Sequence, residues 1–283
     1  MDVSKGDTPK RMVTKEEVKN ALGQYILTGP EFANEATKER EDLDSGTDLD
    51  GIMPIFKDSL TVISAPPKSG KSLFMLHLAL NLAWSGNLVL YLSLENSKAQ
   101  DKKRLLNACD TYGKRPPDLW CYVNVRSIPS SQKAQSVFAF ISKFEEYDAV
   151  FIDATERITQ MGETGSEISK NGRDLLDSLL NARSDNENTP AIVCTWQYNK
   201  QNLNNKIEEA SLASLGGSIS AVQIADNIWT ILRDKKSNRW VAKLLNSREE
   251  YDIERDTFDV WDGSRFTLID DTKELREELK KVR

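Results

Sequence analysis

The hydrophobic positions of this chain change period repeatedly from about residue 58 onward. Short apolar runs typical of buried strands alternate with longer stretches in which apolar residues recur every three or four positions, as in helices. This alternation predicts an α/β fold with a mostly parallel sheet flanked by helices. The predicted strands are 60–64, 88–93, 121–125, 149–153, 191–196 and 227–232, and the predicted helices are 72–84, 98–112, 132–145 and 167–183.

The pattern changes after residue 232. Short β-like runs follow one another at 240–245, 257–261 and 266–269, separated by charged turns. They predict an antiparallel C-terminal extension of the sheet. We therefore expect one domain over 45–270, followed by a charged C-terminal tail over 271–283.

A charged N-terminal arm over 1–44 precedes this domain. It contains one predicted amphipathic helix, 16–27, in which Thr14 and Glu17 form a capping-box pattern ahead of an apolar stripe. Such a stripe needs a surface to cover. The pattern leaves two surfaces open, the arm's own domain and a neighbouring subunit.

Composition and charge exclude several classes of protein. The 283 residues are 39% hydrophobic, which is ordinary for a globular protein, and no apolar run approaches the ~20 residues that span a bilayer. Without a signal-peptide core, we expect a cytoplasmic protein with no membrane partner. The three cysteines show no CxxC spacing, which disfavours a structural zinc site. A net charge of −6 disfavours a nucleic-acid coat protein.

The segment with the clearest chemistry is 64–72, which reads Ser-Ala-Pro-Pro-Lys-Ser-Gly-Lys-Ser between a predicted strand and a predicted helix. This context is typical of a phosphate-binding loop, so we expect ATP and Mg²⁺ as cofactors. Lys71 would reach the outer phosphates and Ser72 would bind Mg²⁺. Ala65 replaces the usual first glycine, which is permissible if its φ is negative. The alternative is an ordinary strand-to-helix turn. The remaining loop residues expected to contact phosphates are Pro66, Pro67, Lys68, Ser69 and Gly70.

Carboxylates end two of the predicted strands. Asp153 ends the apolar strand 149–153 and is predicted to hold Mg²⁺ with Ser72, as a Walker B residue does. Glu95 follows the strand 88–93 and is the candidate for polarising the attacking water. Glu156 competes for that role. Alternatively, Glu95 and its neighbour Asn96 cap the helix that begins near residue 98.

Several segments resemble DnaB-type replicative helicases and plasmid RepA helicases. The Ser-Leu-Glu of 93–95, the Trp-Gln-Tyr-Asn-Lys of 196–200 and the Gly-Gly-Ser of 216–218 are similar to motifs of that family. The resemblance covers about 45–260 and implies a RecA-like P-loop ATPase core. It further implies that Glu95 is the catalytic glutamate, that Gln197 senses the γ-phosphate, and that six subunits form a ring with ATP at their boundaries. Single-stranded DNA would be gripped by the loop 198–217, where the candidate DNA-binding residues are Lys200, Lys206, Gly216 and Gly217.

The chain also departs from that family. The loop 198–217 balances Lys200 and Lys206 against two glutamates, so it is not a basic patch. The family's Lys-x-Arg finger is reduced to Lys243-Leu-Leu, and Arg248 is the candidate replacement that would reach a neighbour's nucleotide. Lys243 and Arg248 are alternatively surface charges beside a turn. Two functions therefore stay open: a helicase motor on single-stranded DNA, and a regulatory ATPase switch that controls a protein partner.

Overall fold

The computed structural model describes residues 41–51, 53–128, 146–155, 189–198, 210–215, 224–233, 240–248 and 257–261. A short antiparallel pair, β1 (Asp42–Leu43) and β2 (Ile55–Phe56), comes first. The main sheet contains β3 (Leu60–Ala65), β4 (Val89–Ser93), β5 (Trp120–Asn124), β6 (Ala149–Asp153), β7 (Ala191–Gln197), β8 (Asn227–Arg233), β9 (Trp240–Ser247) and β10 (Thr257–Trp261). The described α-helices are α1 (Lys71–Trp84) and α2 (Lys98–Tyr112).

The main sheet has the strand order β10-β9-β8-β3-β7-β6-β4-β5. The six strands from β8 to β5 pair in parallel, whereas β9 pairs antiparallel with β8 and β10 antiparallel with β9. The predicted fold, a mostly parallel sheet with an antiparallel C-terminal extension, is confirmed. In this order β7 lies between β3, which leads into the predicted phosphate-binding loop, and β6, which ends in Asp153.

Both faces of the sheet are buried, which explains why the strands read as continuous apolar runs. In β6, Phe151 belongs to the core on one face, and Val150 and Ile152 belong to the core on the other. Helix α1 packs on the Phe151 face, where eleven of its fourteen residues are buried. The alternation of side chains along each strand therefore decides which residues face α1.

Helix α2 has well-defined ends. Ser97 is its N-cap, and the Ser97 hydroxyl accepts from the main-chain N–H of Gln100 while the Gln100 side chain accepts from the Ser97 N–H. Gly113 closes the other end with a φ of 63°, a left-handed conformation that glycine adopts readily. This capping box fixes the point at which the chain leaves β4 and enters α2.

Some predicted elements lie outside the described residues: the helices 16–27, 132–145 and 167–183 and the strand 266–269. The domain boundaries stay predictions for the same reason. Within the described ranges, no helix is both long enough and apolar enough to cross a membrane.

Candidate nucleotide site

The predicted phosphate-binding loop lies at the carboxyl edge of the sheet. It leaves β3 at Ala65 and enters α1 at Lys71. Gln197 is the register partner of Ala65 on β7, and Asp153 ends β6 on the far side of β7. Ligands of open α/β sheets bind at this edge, so the topology brings three of the predicted site residues into the region where a nucleotide would bind.

Two residues of the loop have left-handed backbones. Lys68 has a φ of 61° and Gly70 has a φ of 90°, whereas Ala65 is the last residue of an extended strand. The condition under which alanine is permissible at position 65 is therefore met. A Cβ on Gly70 would also overlap the indole ring of Trp240, so this position excludes side chains for a second, steric reason. Sequence reasoning missed the left-handed Lys68, and no motif signals it.

Ser72 and Asp153 are in direct contact. The Ser72 hydroxyl donates to Asp153 Oδ1 at 3.1 Å, and the Asp153 side chain is fully buried. Two oxygen ligands at about 2.1 Å in adjacent octahedral positions around Mg²⁺ lie about 3 Å apart. The separation of the two oxygens and their hard-oxygen chemistry thus fit a Mg²⁺ ion held between them.

Lys71 and Ser69 supply polar groups around the loop. The Lys71 side chain is buried, and its Nζ donates to the Trp196 carbonyl on β7 at 3.3 Å. Ser69 Oγ is buried and has no hydrogen-bond partner among the described residues. Helix α1 also begins at this loop, and the N-terminal end of a helix favours anions. An ammonium, a hydroxyl and helix N–H groups around one loop fit the oxygens of a polyphosphate. Pro67 and Lys68 are exposed, and Pro66 is partly exposed.

The segment that carries Glu95 is fixed by polar contacts from β5 and the residues that follow it. Arg126 donates to the Glu95 carbonyl at 3.1 Å, and Asn124 Nδ2 donates to the Asn96 carbonyl at 3.1 Å. The Glu95 side chain is partly exposed. The alternative interpretation, in which Glu95 and Asn96 cap the following helix, is wrong because Ser97 is the N-cap of α2.

A buried carboxylate anchors the end of β4 just before Glu95. Asp101 Oδ2 accepts from the Ser93 hydroxyl at 2.6 Å and from the Tyr122 hydroxyl at 2.9 Å. The Arg104 guanidinium lies 3.5 Å from Asp101 Oδ1, which balances the buried charge. Sequence reasoning included Ser93 only as part of the family-like segment 93–95 and missed its contacts with Asp101 and Tyr122, because no motif encodes them.

The comparisons with known proteins agree with this geometry. The family model described as AAA domain matches residues 33–192. The chain belongs to the AAA domain family. No curated protein matches it. Among solved structures, the chain is similar to one whose title describes it as an ATPase domain, with a TM-score of 0.59 and 18% identity over 89% of this chain and 99% of that one. The predicted RecA-like P-loop ATPase fold is confirmed.

Gln197 ends β7 and is partly buried. The next residue, Tyr198, forms an antiparallel bridge with Leu215 and shares a 2.5 Å hydrogen bond with the Thr230 hydroxyl on β8. Gln197 therefore joins a fixed strand to the loop predicted to grip DNA. Its role as a γ-phosphate sensor stays a prediction.

Lys243 and Arg248 lie toward opposite edges of the sheet. Lys243 is the register partner of Thr230, which in turn pairs with Ser64 one residue before the loop. Arg248 lies 3.9 Å from Asp226, whose carboxylate accepts from the Leu60 N–H at the start of β3. Five extended residues span about 17 Å, so the chain does not bring Arg248 to Lys243 or to its own nucleotide loop. Whether Arg248 reaches a neighbouring subunit stays a prediction.

The predicted DNA-binding residues Lys200, Lys206, Gly216 and Gly217 and the competing base Glu156 lie outside the described residues. His77 is buried beside Tyr112, with ring centroids 5.7 Å apart. Burial lowers the pKa of His77 to about 4. It is therefore neutral near pH 7 and contributes to the core.

Proposed function

We propose that this chain binds and hydrolyses ATP with Mg²⁺ and uses the hydrolysis to move along single-stranded DNA as part of a ring. One observation supports the ATP site most directly, which is the contact between the Ser72 hydroxyl and the buried Asp153 carboxylate beside Lys71. Three functional groups expected at a phosphate loop are thus present at one edge of the sheet.

Each residue has a distinct role in the proposed hydrolysis. Ser72 and Asp153 would hold Mg²⁺, which when bound neutralises charge on the β- and γ-phosphate oxygens. When the nucleotide binds, the Lys71 ammonium would leave the Trp196 carbonyl and donate to a phosphate oxygen instead. The Glu95 carboxylate would accept a proton from the water that attacks the γ-phosphorus, so that the bond to the ADP oxygen breaks and ADP and phosphate leave. The Gln197 amide would donate to the γ-phosphate and lose that acceptor on release.

Membership in the AAA domain family and the resemblance to hexameric helicases support the proposed ring. Heterologous contacts between identical subunits close into rings when the rotation permits. ATP would then lie at each subunit boundary, where Lys243 and Arg248 of one subunit are candidates to contact the nucleotide of the next. Sedimentation velocity with and without a non-hydrolysable ATP analogue tests the assembly, and a strictly monomeric chain in both samples contradicts it.

The second candidate function is a regulatory switch whose nucleotide state controls a protein partner. Two observations favour it: the balanced charge of the loop 198–217, and the absence of an arginine two residues after Lys243. A trans arginine raises the rate of related phosphoryl transfers by about 10³ to 10⁵. A chain without such an arginine would hydrolyse ATP slowly, and slow hydrolysis fits a regulatory switch better than a motor.

The ATPase rate with and without single-stranded DNA separates the two functions. The motor predicts stimulation by DNA that disappears when Lys200 and Lys206 are both changed to alanine. The matched control changes Lys102 and Lys103, two exposed lysines on α2, and should retain the stimulation. If DNA neither stimulates the wild type nor binds to it at low salt, where phosphate contacts are strongest, the switch is the better account.

A further inference from the structure

The hydroxyl of Tyr91 lies next to both members of the Ser72–Asp153 pair. Tyr91 lies on β4 opposite Phe151 of β6, and Ser93 lies opposite Asp153. Because side chains alternate along strands, Tyr91 and Asp153 project from the same face of the sheet. The Tyr91 hydroxyl donates to Asp153 Oδ2 at 3.1 Å and lies 3.4 Å from the Ser72 carbonyl.

The two oxygens of Asp153 therefore have different partners. Oδ1 accepts from Ser72, the residue on the metal side, and Oδ2 accepts from Tyr91. The terminal torsion of an aspartate is broad and nearly two-fold, so a carboxylate without such contacts samples many orientations. A donor on Oδ2 selects the orientation in which Oδ1 faces Ser72.

The Tyr91 hydroxyl is buried at the point where it meets Asp153. The side chain is 1% exposed. Burial, together with the negative charges of Asp153 and Asp101, raises the pKa of Tyr91 well above its ordinary value. A phenol is protonated near neutral pH in any case, so the Tyr91 hydroxyl has a proton to donate to Asp153 Oδ2.

We propose that Tyr91 is a positioning residue: its hydroxyl orients the Asp153 carboxylate for the divalent cation that accompanies ATP. This inference rests on the proposed ATP site and adds a residue that no phosphate-loop or Walker B pattern contains. Hydrogen-bond partners of metal ligands typically change metal affinity by about 10- to 100-fold when they are removed. The loss should affect the cation and leave the phosphate contacts of the loop intact.

The substitution Tyr91→Phe removes only the hydroxyl, and Tyr122→Phe is its matched control. Tyr122 is the register partner of Tyr91 on β5, and the two rings stack with centroids 6.5 Å apart. The Tyr122 hydroxyl donates to Asp101 instead. Each variant loses one hydrogen-bonded hydroxyl from the same aromatic cluster, so they share any general loosening of the fold.

The measurement is ADP binding by titration calorimetry on the full chain over a series of MgCl₂ concentrations, with EDTA as the zero point. We expect the Mg²⁺ concentration for half-maximal enhancement to rise about 10-fold in Tyr91→Phe. It should change by less than about two-fold in Tyr122→Phe, which keeps both oxygen contacts of Asp153. ADP affinity in EDTA should be the same in all three proteins.

Three results would overturn the role of Tyr91: an unchanged or lower Mg²⁺ requirement in Tyr91→Phe, an equal rise in Tyr122→Phe, or a loss of ADP affinity in EDTA. Nucleotide binding by the wild type distinguishes a failure of the inference about Tyr91 from a failure of the proposed function. If the wild type shows no Mg²⁺-dependent nucleotide binding, the ATP site itself is wrong. If it does and Tyr91→Phe matches it, only the inference about Tyr91 fails.

Discussion

Replacing Gly70 with alanine should destabilise the folded protein through two separable effects. Gly70 has a φ of 90°, and a left-handed backbone costs about 1–2 kcal/mol for a residue with a Cβ. The new methyl group would also overlap the Trp240 ring, which is 2% exposed and stacks on Phe74. Overpacking a filled core costs about 1–3 kcal/mol. The expected loss in unfolding free energy is therefore about 2–5 kcal/mol.

Two further variants separate the effects. Gly113 at the end of α2 has a φ of 63° and no atom within 4 Å of a Cβ built there. Gly113→Ala should therefore show the backbone cost alone, about 1–2 kcal/mol. Trp240→Phe shortens the ring that blocks Gly70, so in that background Gly70→Ala should also fall to the backbone cost. The two substitutions in one chain should be less harmful than the sum of the single ones.

Urea denaturation of the wild type and these variants provides the free energies. ADP affinity, measured on the same samples, reports whether the loop has moved. The reasoning is refuted if Gly70→Ala costs no more than Gly113→Ala, or if its cost is the same with tryptophan and with phenylalanine at position 240.

Two further predictions concern the core and the Glu95 segment. The pKa of His77 falls from 6.5 to about 4 on folding. Below pH 6.5, protonation of His77 therefore favours the unfolded state. The free energy of unfolding should fall as the pH drops from 6.5 toward 4, by about 2–3 kcal/mol between pH 7 and 4.5. His77→Gln should show a shallower loss in denaturation at these two pH values, and a parallel pH dependence would contradict this. Asn124→Ala leaves the Asn96 carbonyl without its donor and should cost about 1–3 kcal/mol. ATP turnover should fall more than ADP affinity in this variant; unchanged turnover would argue against a positioning role for Asn124.

The sequence pattern predicted the described core strands and helices closely. Strand β6 and helix α2 begin and end at the predicted residues, 149–153 and 98–112. This success has a physical reason, since buried parallel strands must be apolar on both faces while helices show a 3.6-residue period. The phosphate-binding loop could also be predicted, because its functional groups lie within nine consecutive residues, 64–72.

Contacts between residues far apart in the chain could not be predicted from the sequence. Tyr91 and Asp153 are 62 residues apart, and the sequence does not fix the register that brings them together. The same holds for Trp240 beneath Gly70. The position of Arg248 depends on the register of β9 against β8, and no sequence motif specifies that register. The cap of α2 was different: sequence reasoning considered Glu95 and Asn96 as caps and missed Ser97, although Ser97 and Gln100 form a capping-box pattern.

In the proposed site, Lys71 binds the phosphates of ATP, whereas Glu95 acts only in hydrolysis. The most direct test measures Mg-ATP affinity and ATP turnover on the same preparations of wild type, Lys71→Ala and Glu95→Gln, with Lys102→Ala, which removes an exposed lysine on α2, as a control for charge. We expect Lys71→Ala to lose at least about 10-fold in affinity, and Glu95→Gln to keep its affinity while turnover falls by about 10² to 10⁴. Equal Mg-ATP affinity in wild type and Lys71→Ala, or full turnover in Glu95→Gln, would contradict the claim.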